Sequence, residues 1–308
     1  MRSCAVSTPS AWLRISAGRT ERNRGADHTA TMSDAPSIRR AFTLPPPALR
    51  PFVERLWSWE SDAPVLLPVL LPGTGADLLL HYRRPFLALG SDGSRHRVAA
   101  AQISCLRTFS CRLLAQGPVG FVAVRFRGAT IRHFGRRPLA ELTDRFAAAQ
   151  EHFGPEAAEL PGQLAERGSF AARAALVIDF LQRLLERAGP ALSPADRALD
   201  ALYYGDAEAS VAALADDLGY STRQLERLVG AAAGLSPKRF RRVARLHHTM
   251  RHLLLAEQSD YLDAALARGY YDQAHFIHEL GALTGHTPRE LLSRESFVSH
   301  FYNPRLPP

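Results

Sequence analysis

The 308-residue chain is almost without lysine: of its 38 basic residues only Lys238 is not arginine. Such one-sided usage reflects a GC-rich coding sequence before it reflects chemistry, so the formal charge of +8 is by itself a weak pointer to nucleic acid. Cysteine is nearly as scarce. Cys4, Cys105 and Cys111 form no CxxC pair and have no histidine at ligand spacing, which argues against a disulfide framework or a zinc ribbon and suits a reducing cytoplasm. No apolar run approaches the roughly 18 residues of a membrane span, and the longest, near Val65 to Leu71, is interrupted by Pro68. A soluble, cytoplasmic protein with no membrane partner is expected. Residues 1–31 hold five arginines, two acids and no signal-peptide core, so residues 1–36 are expected to be a disordered leader, and "TMSDAPS" around Met32 reads as the natural start.

What is present is ordinary for a folded protein, 46% hydrophobic and 22% charged, with length enough for two domains. From about Phe42 to Arg127 the pattern has period two: "VERLWSWE", "ADLLLHY", "RTFSCRLL" and "GFVAVRFR" are separated by "PGTG", "GSDGS" and "QGP". A β-rich, barrel-like domain is expected over 40–145. Near Ala129 the signal turns helical. Within 146–190 the segment 169–188 places Leu176, Val177, Phe180, Leu181, Leu184 and Leu185 on one stripe, with Ser169 as N-cap and Gly189 as stop. Too wide to leave in water, that stripe should pack on the β domain or on its twin in a homodimer. "GPALSP" at 189–194 reads as a linker, and 194–297 as helical throughout, with a tail at 298–308.

Within that helical part the chain writes one phrase twice: "GYSTRQLERLVGAAAGLSPKRF" from 219 and "GYYDQAHFIHELGALTGHTPREL" from 269. In the first copy Ser210 caps a short helix that ends at Gly219, and Ser221 with Gln224 forms a capping box for the next. Tyr220 and Leu225 form a hydrophobic staple. Two short helices through a tight glycine turn make a helix-turn-helix. With Leu225, Leu228 and Val229 inward, the second helix presents Arg223, Glu226, Arg227 and Gly230, and an arginine there can donate bidentately to guanine while a glutamate accepts from cytosine. Ser236 and Pro237 then open a long helix of about 20 residues, roughly 30 Å, near the 34 Å between successive major-groove faces. From Arg223 to Arg251 eight basic residues face one acid, a charge of +7. The second copy has one extra residue in its turn, with Asp272 as N-cap and Tyr271 stapled to Phe276, and it presents Gln273, Ala274, Ile277 and His278. Between Glu257 and Glu295 seven acids face three arginines.

The doubled motif, with Gly234-x-Ser236-Pro237 answered by Gly285-x-Thr287-Pro288, resembles the DNA-binding domain of AraC/XylS-type transcription regulators over about 194–295. Upstream, "LRPFVERLWSWE", "LPGTGADLLL", "VAVRFRGATIRHFG" and "LAELTD" more weakly resemble the β-rich sensor domains that precede it in such regulators. The resemblance implies an α+β chain in which a sensor-like domain precedes an all-α domain of two helix-turn-helix units joined by a long helix. It implies a one-component regulator that binds promoter DNA as a homodimer, answers a small-molecule effector and meets RNA polymerase. The residues expected at the DNA are Ser221, Thr222, Arg223, Glu226, Arg227, Lys238, Arg239, Arg241, Arg242, Arg245, Gln273 and His278; Trp57 and Trp59, which share a strand face, and Asp77 are the candidates at an effector, although a barrel core or interface is the commoner use of such tryptophans and a buried hydrogen-bonded acid the favoured reading of Asp77. The second unit departs from the family where an arginine is common and His278 stands, followed by Leu280, Gly281 and Ala282, so base reading is expected mainly from the first unit.

The rival is a cupin-like ligand-binding or metal-dependent enzyme domain fused to a DNA-binding module. His81, His96 and His133 are isolated, and His248 and His252, four apart on one helix, lack a third ligand, as do His275 and His278, so no metal or cofactor is expected. A repair methyltransferase would need an activated cysteine, whereas Cys111 shares a strand face with Phe109 and reads as core. No enzymatic activity is expected.

Overall fold

Alternation decides the first half of the chain, because a strand turns successive side chains to opposite faces of its sheet. A computed structural model describes residues 38–90, 93–189, 192–205, 209–255 and 261–292. The expected leader and the tail at 298–308 lie outside these. Among the described residues ten antiparallel strands form two sheets: β1 (Arg39–Thr43), β2 (Val53–Ser61), β3 (Leu66–Leu70), β4 (Asp77–His81), β5 (Leu87–Gly90), β6 (Arg95–Arg97), β7 (Ala101–Ser104), β8 (Cys111–Leu114), β9 (Val119–Phe126) and β10 (Phe146–Ala148). The larger runs β1-β2-β9-β4-β7-β10 and the smaller β3-β8-β5-β6.

The central strands of the larger sheet are apolar on both faces. Trp57, Trp59, Leu79, Phe121 and Ala123 point between the sheets, where they meet Leu67, Phe86, Val98 and Leu113. Leu56, Leu78, Leu80, Val122 and Val124 point the other way, into a second core shared with the helices. That face is covered by α2 (Glu156–Ala165), reached through the short α1 (Gln150–Phe153), and by α3 (Phe170–Ala188). Ser169 accepts from the Ala172 N–H, and Gly189 ends α3 in the left-handed region at φ 62°. Val177, Phe180, Leu181, Leu184 and Leu185 are buried there. Of the two partners open to the stripe of α3, the chain's own β domain supplies the cover.

The helix expected near Ala129 begins later. Thr130–His133 and Leu139–Glu141 are single 3₁₀ turns, and Phe146–Ala148 is a strand that pairs with β7. Pro138 would interrupt a helix. Gly135 lets the chain pass His152, whose ring a Cβ would approach to 2.3 Å. "RTFSCRLL" is likewise strand only over Cys111–Leu114, since Thr108 caps onto Asp144 through its N–H at 2.6 Å and its hydroxyl at 2.7 Å.

The helical half follows as α4 (Pro194–Tyr204), α5 (Val211–Asp217), α6 (Thr222–Ala233), α7 (Pro237–Leu255), α8 (Tyr261–Leu266), α9 (Gln273–Thr284) and α10 (Pro288–Leu291). The end of "GPALSP" is anchored, not free. Ser193 and Asp196 form a capping box at the start of α4, Arg132 donates to Ser193 Oγ at 2.6 Å, and Asp196 pairs with Arg132 at 2.6 Å and with His133 at 3.0 Å. Burial opposes the Asp196 charge, but hydrogen bonds from His133, the Ser193 N–H and Arg132 outweigh it and hold the carboxyl well below its ordinary range. Leu199, Leu202, Leu225, Val229 and Phe240 continue the core begun by the sheet. Among the described residues no helix is long and apolar enough to cross a membrane.

Several imidazoles are buried within this fold. Burial pushes His81 down to about 3 and also lowers His152 and His247. Neutral in the fold, they take up protons on unfolding below about pH 6.5, so stability falls as the pH drops from there toward 3. For His81 the slope is about 1.4 kcal/mol per pH unit. In urea denaturation between pH 7 and 4.5, His81→Leu is expected to flatten the pH dependence by that amount; an unchanged slope would contradict it.

Candidate nucleic-acid interface

The first helix-turn-helix is built as its sequence requires. Gly219, at φ 73°, turns the chain between α5 and α6, a conformation that costs glycine nothing. Ser210 caps α5, and Ser221 with Gln224 completes the capping box of α6. Leu225, Val229, Ala232 and Ala233 are buried, while Thr222, Arg223, Glu226 and Arg227 are exposed. Ser221 is also exposed, although its hydroxyl accepts from the Gln224 N–H.

The second unit repeats this pattern in register from its N-cap onward. Asp272 caps α9 by accepting from the His275 N–H at 2.7 Å, and Gly285 ends it at φ 71°, as Gly234 ends α6 at φ 69°. The staple differs from expectation. Tyr271 is 89% exposed and stacks on His275, whereas Tyr270, 3% exposed, packs edge-on against Phe276 at 5.2 Å. The additional residue in the turn moves the inward position back by one. Gln273 is half-buried and His278 exposed.

The long helix α7 does not leave all its cations to solvent. Glu279, on the inner side of α9, accepts from Arg242 Nε at 3.1 Å, from Arg245 at 2.9 Å on both oxygens and from the Tyr270 hydroxyl at 2.9 Å. Arg245 also lies over the Tyr270 ring at 4.3 Å and donates to the Gly269 carbonyl at 3.1 Å. Of the arginines expected at the DNA, Arg245 is therefore a clamp on the second turn, and Arg242 shares that carboxylate. Arg241 donates to the Ala209 carbonyl. Arg239 turns to the β domain, donating to Thr108 Oγ1 at 2.8 Å with Asp144 at 4.0 Å. Lys238, Arg223 and Arg227 remain exposed. An open groove runs between the two units along α7, lined among others by Tyr204, Val211, Lys238, Arg241, Arg268 and Tyr271. Arg268 escaped the sequence reading because it precedes the repeat and only the fold brings it to the groove.

Behind the recognition helices the β domain touches both copies at the same place. Thr143 Oγ1 shares its one proton between the carbonyls of Leu139 at 2.9 Å and Ala233 at 3.1 Å, and Ser110 Oγ donates to the carbonyl of Thr284. Ala233 and Thr284 are each the residue before the capping glycine of their unit, where helix carbonyls lack a partner within the helix. A Cβ at Gly234 would come within 2.7 Å of the Ala140 backbone. Nothing in the pattern around Ser110 or Thr143 announces this role.

Of the expected effector residues, Trp57 and Trp59 are core between the sheets, with Trp57 edge-on to Phe121 at 4.9 Å and Arg40 over Trp59 at 5.4 Å. Asp77 Oδ2 accepts from Arg125 at 2.7 Å, and Oδ1 has no hydrogen-bond partner among the described residues. Burial opposes the Arg125 charge, but Asp77 more than compensates and raises its pKa. Trp57, Asp77 and Arg125, together with Arg55, Leu71 and His247 of α7, line a cleft where the β domain meets the long helix; Trp59 does not. Burial raises the Cys105 thiol to about 12 and Cys111 to about 11, which leaves neither an active nucleophile near neutrality. Among the described residues no three His, Cys, Asp or Glu side chains converge as metal ligands.

Comparison with known families places a helix-turn-helix domain at residues 214–294 and a domain of unknown function, DUF6597, at 42–148. No curated protein matches the chain. Among solved structures it is similar to ToxT from Vibrio cholerae, at 9% identity and a TM-score of 0.46 over 86% of this chain and 100% of that one. It is also similar to unsaturated fatty acid-bound ToxT, at 9% identity and 0.41 over 83% and 94%. The strand order and the helix repeat define the fold independently of these distant likenesses.

The Glu279 clamp has a direct consequence. Glu279→Ala would leave Arg242, Arg245 and Tyr270 without their shared acceptor and is expected to destabilise the protein by about 3 kcal/mol, the usual scale for removing one partner of a buried ion pair. Urea denaturation at pH 7 measures this, and wild-type stability in the variant would show that the clamp is not structural.

Proposed function

We propose that this chain, whose C-terminal part is an AraC-type helix-turn-helix domain, is a sequence-specific transcription regulator that binds promoter DNA and answers a small-molecule effector. The observation that carries the reading is α6. It is capped and turned as a recognition helix and presents Arg223, Glu226 and Arg227 together, and the 19-residue α7 that follows is long enough to set a second unit about one duplex turn away. Arg223 and Arg227 offer paired donors to guanine O6 and N7, and Lys238 a phosphate contact. Thr222 and the α6 N-terminus lie where a phosphate is favoured.

The effector is proposed to enter between the β domain and α7 at the cleft lined by Trp57, Asp77 and His247, which as it stands has room for about one water and would have to widen to admit it. Pairing as a homodimer and contact with RNA polymerase belong to the same proposal. The exposed Phe42 on the edge strand β1 offers one surface for pairing. No enzymatic step is part of this reading, and the protein acts in the cytoplasm.

The test is competition binding of the full chain to duplexes recovered from a randomised pool. Arg223→Ala and Arg227→Ala are each expected to cost about 1 to 3 kcal/mol and to relax preference at particular base pairs. Lys238→Ala is expected to weaken all duplexes alike and to lower the salt dependence by about one phosphate. If all three variants lost affinity uniformly across sequences, α6 would not be reading bases.

A further inference from the structure

The two recognition helices are equivalent in frame and opposite in chemistry. Aligned on their capping glycines, Arg223, Glu226 and Arg227 of α6 stand where α9 has Ala274, Ile277 and His278, and all six are exposed. Ile277, 37% exposed, occupies the place of a glutamate. The one carboxylate within α9 is turned away from this face, since Glu279 is held by Arg242 and Arg245, while the exposed Asp272 precedes the helix as its N-cap and accepts from the His275 N–H. The outward surface from Ala274 through Ala282 therefore holds neither an arginine to fork onto guanine nor a carboxylate to accept from cytosine.

We infer that α9 reads thymine methyl groups, so that the second helix-turn-helix selects an A·T-rich half-site about one turn from the site read by α6. The inference rests on the DNA-binding reading above and deepens it. In the major groove the 5-methyl of thymine is the only apolar group a base pair offers, and alanine and other apolar side chains are its partners. Ala274 and Ile277 supply such contacts on adjacent turns of the exposed face. Gln273, at the first helical position, has the amide that pairs with adenine N6 and N7 of the same base pairs. This reverses the expectation drawn from the missing arginine: the second unit specifies by methyl contact where the first uses a charged fork.

The experiment uses the full chain and duplexes recovered from a randomised pool, resynthesised with deoxyuridine in place of thymidine one position at a time. The exchange removes the methyl and leaves pairing and charge intact. In the half-site facing α9, affinity is expected to fall about fourfold for each contacted methyl removed, the equivalent of one buried methylene. Ile277→Ala, an exposed position whose truncation leaves the core untouched, is expected to bind the thymidine and deoxyuridine duplexes alike at its contacted position. Equal binding of both duplexes by the wild-type chain would overturn the inference. So would an Ile277→Ala variant that binds DNA normally but loses affinity for RNA polymerase, since α9 would then be a protein-docking face. Recovery of no preferred duplex at all would instead sink the DNA-binding reading itself, and this inference with it.

Discussion

A sheet that is apolar on both faces cannot stand alone, and in this chain that constraint organises everything else. The inner face of β2, β4 and β9 is closed by the smaller sheet over Trp57, Trp59 and Phe121. Its outer face, with Leu56, Leu78, Leu80, Val122 and Val124, has to be covered by helices. The cover is α2 and α3 first, and then the core runs without interruption through α4 into α6. The first recognition helix is thus attached to the sheet by continuous apolar packing, at roughly 25 cal/mol for each Å² removed from water. The first helix-turn-helix is thereby joined to the β domain by core, where a flexible linker would leave the two independent.

The second unit is attached by different means. Its own core gathers Leu246, Met250, Phe276 and Leu280, and the β domain contributes Leu71. Around that small core the decisive contacts are polar, with Glu279 collecting two arginines and a tyrosine and Ser110 holding the end of α9. Polar attachment of this kind depends on geometry more steeply than apolar burial does, because an arginine or carboxylate left buried without its partner costs several kcal/mol. The two halves of the repeat, alike in sequence rhythm, are therefore held by unlike means: α6 by core continuous with the sheet, and α9 by a polar clamp onto α7 with a single hydroxyl from the β domain.

Much of this was legible in the sequence. Caps and turns are local chemistry, so Ser169, Ser210, Ser221, Asp272 and the glycines at 189, 219, 234 and 285 stand where their side chains or their absence require. Strands with clean alternation or long apolar runs were equally readable. The misses are all non-local. Tyr270 takes the staple position expected of Tyr271 because a one-residue insertion shifts the inward register, and only packing on Phe276 decides which tyrosine is inside. Phe146–Ala148 looked helical because its three residues become a strand only beside β7. The charge count overstated both copies for the same reason, since Glu279 and its arginines neutralise each other across 34 and 37 residues of chain. Spacing along a sequence registers which side chains share a face, but not which face meets another.

The paired hydroxyls behind the recognition helices also bear on who yields when protein and ligand do not quite match. Thr143 and Ser110 grip the equivalent carbonyl of each repeat from a single folded sheet assembly, so the separation and tilt of α6 and α9 are referred to one frame. A pair of reading heads on a swivel would adapt to the pitch of whatever duplex they met. In the proposed regulator, heads fixed to a frame would pass the mismatch to the DNA, which would have to bend or twist to meet both, and the work of doing so differs between stiff A-tracts and pliant pyrimidine–purine steps. Base pairs lying between the two contacts, touched by no side chain, would then enter the choice of site through their mechanical compliance.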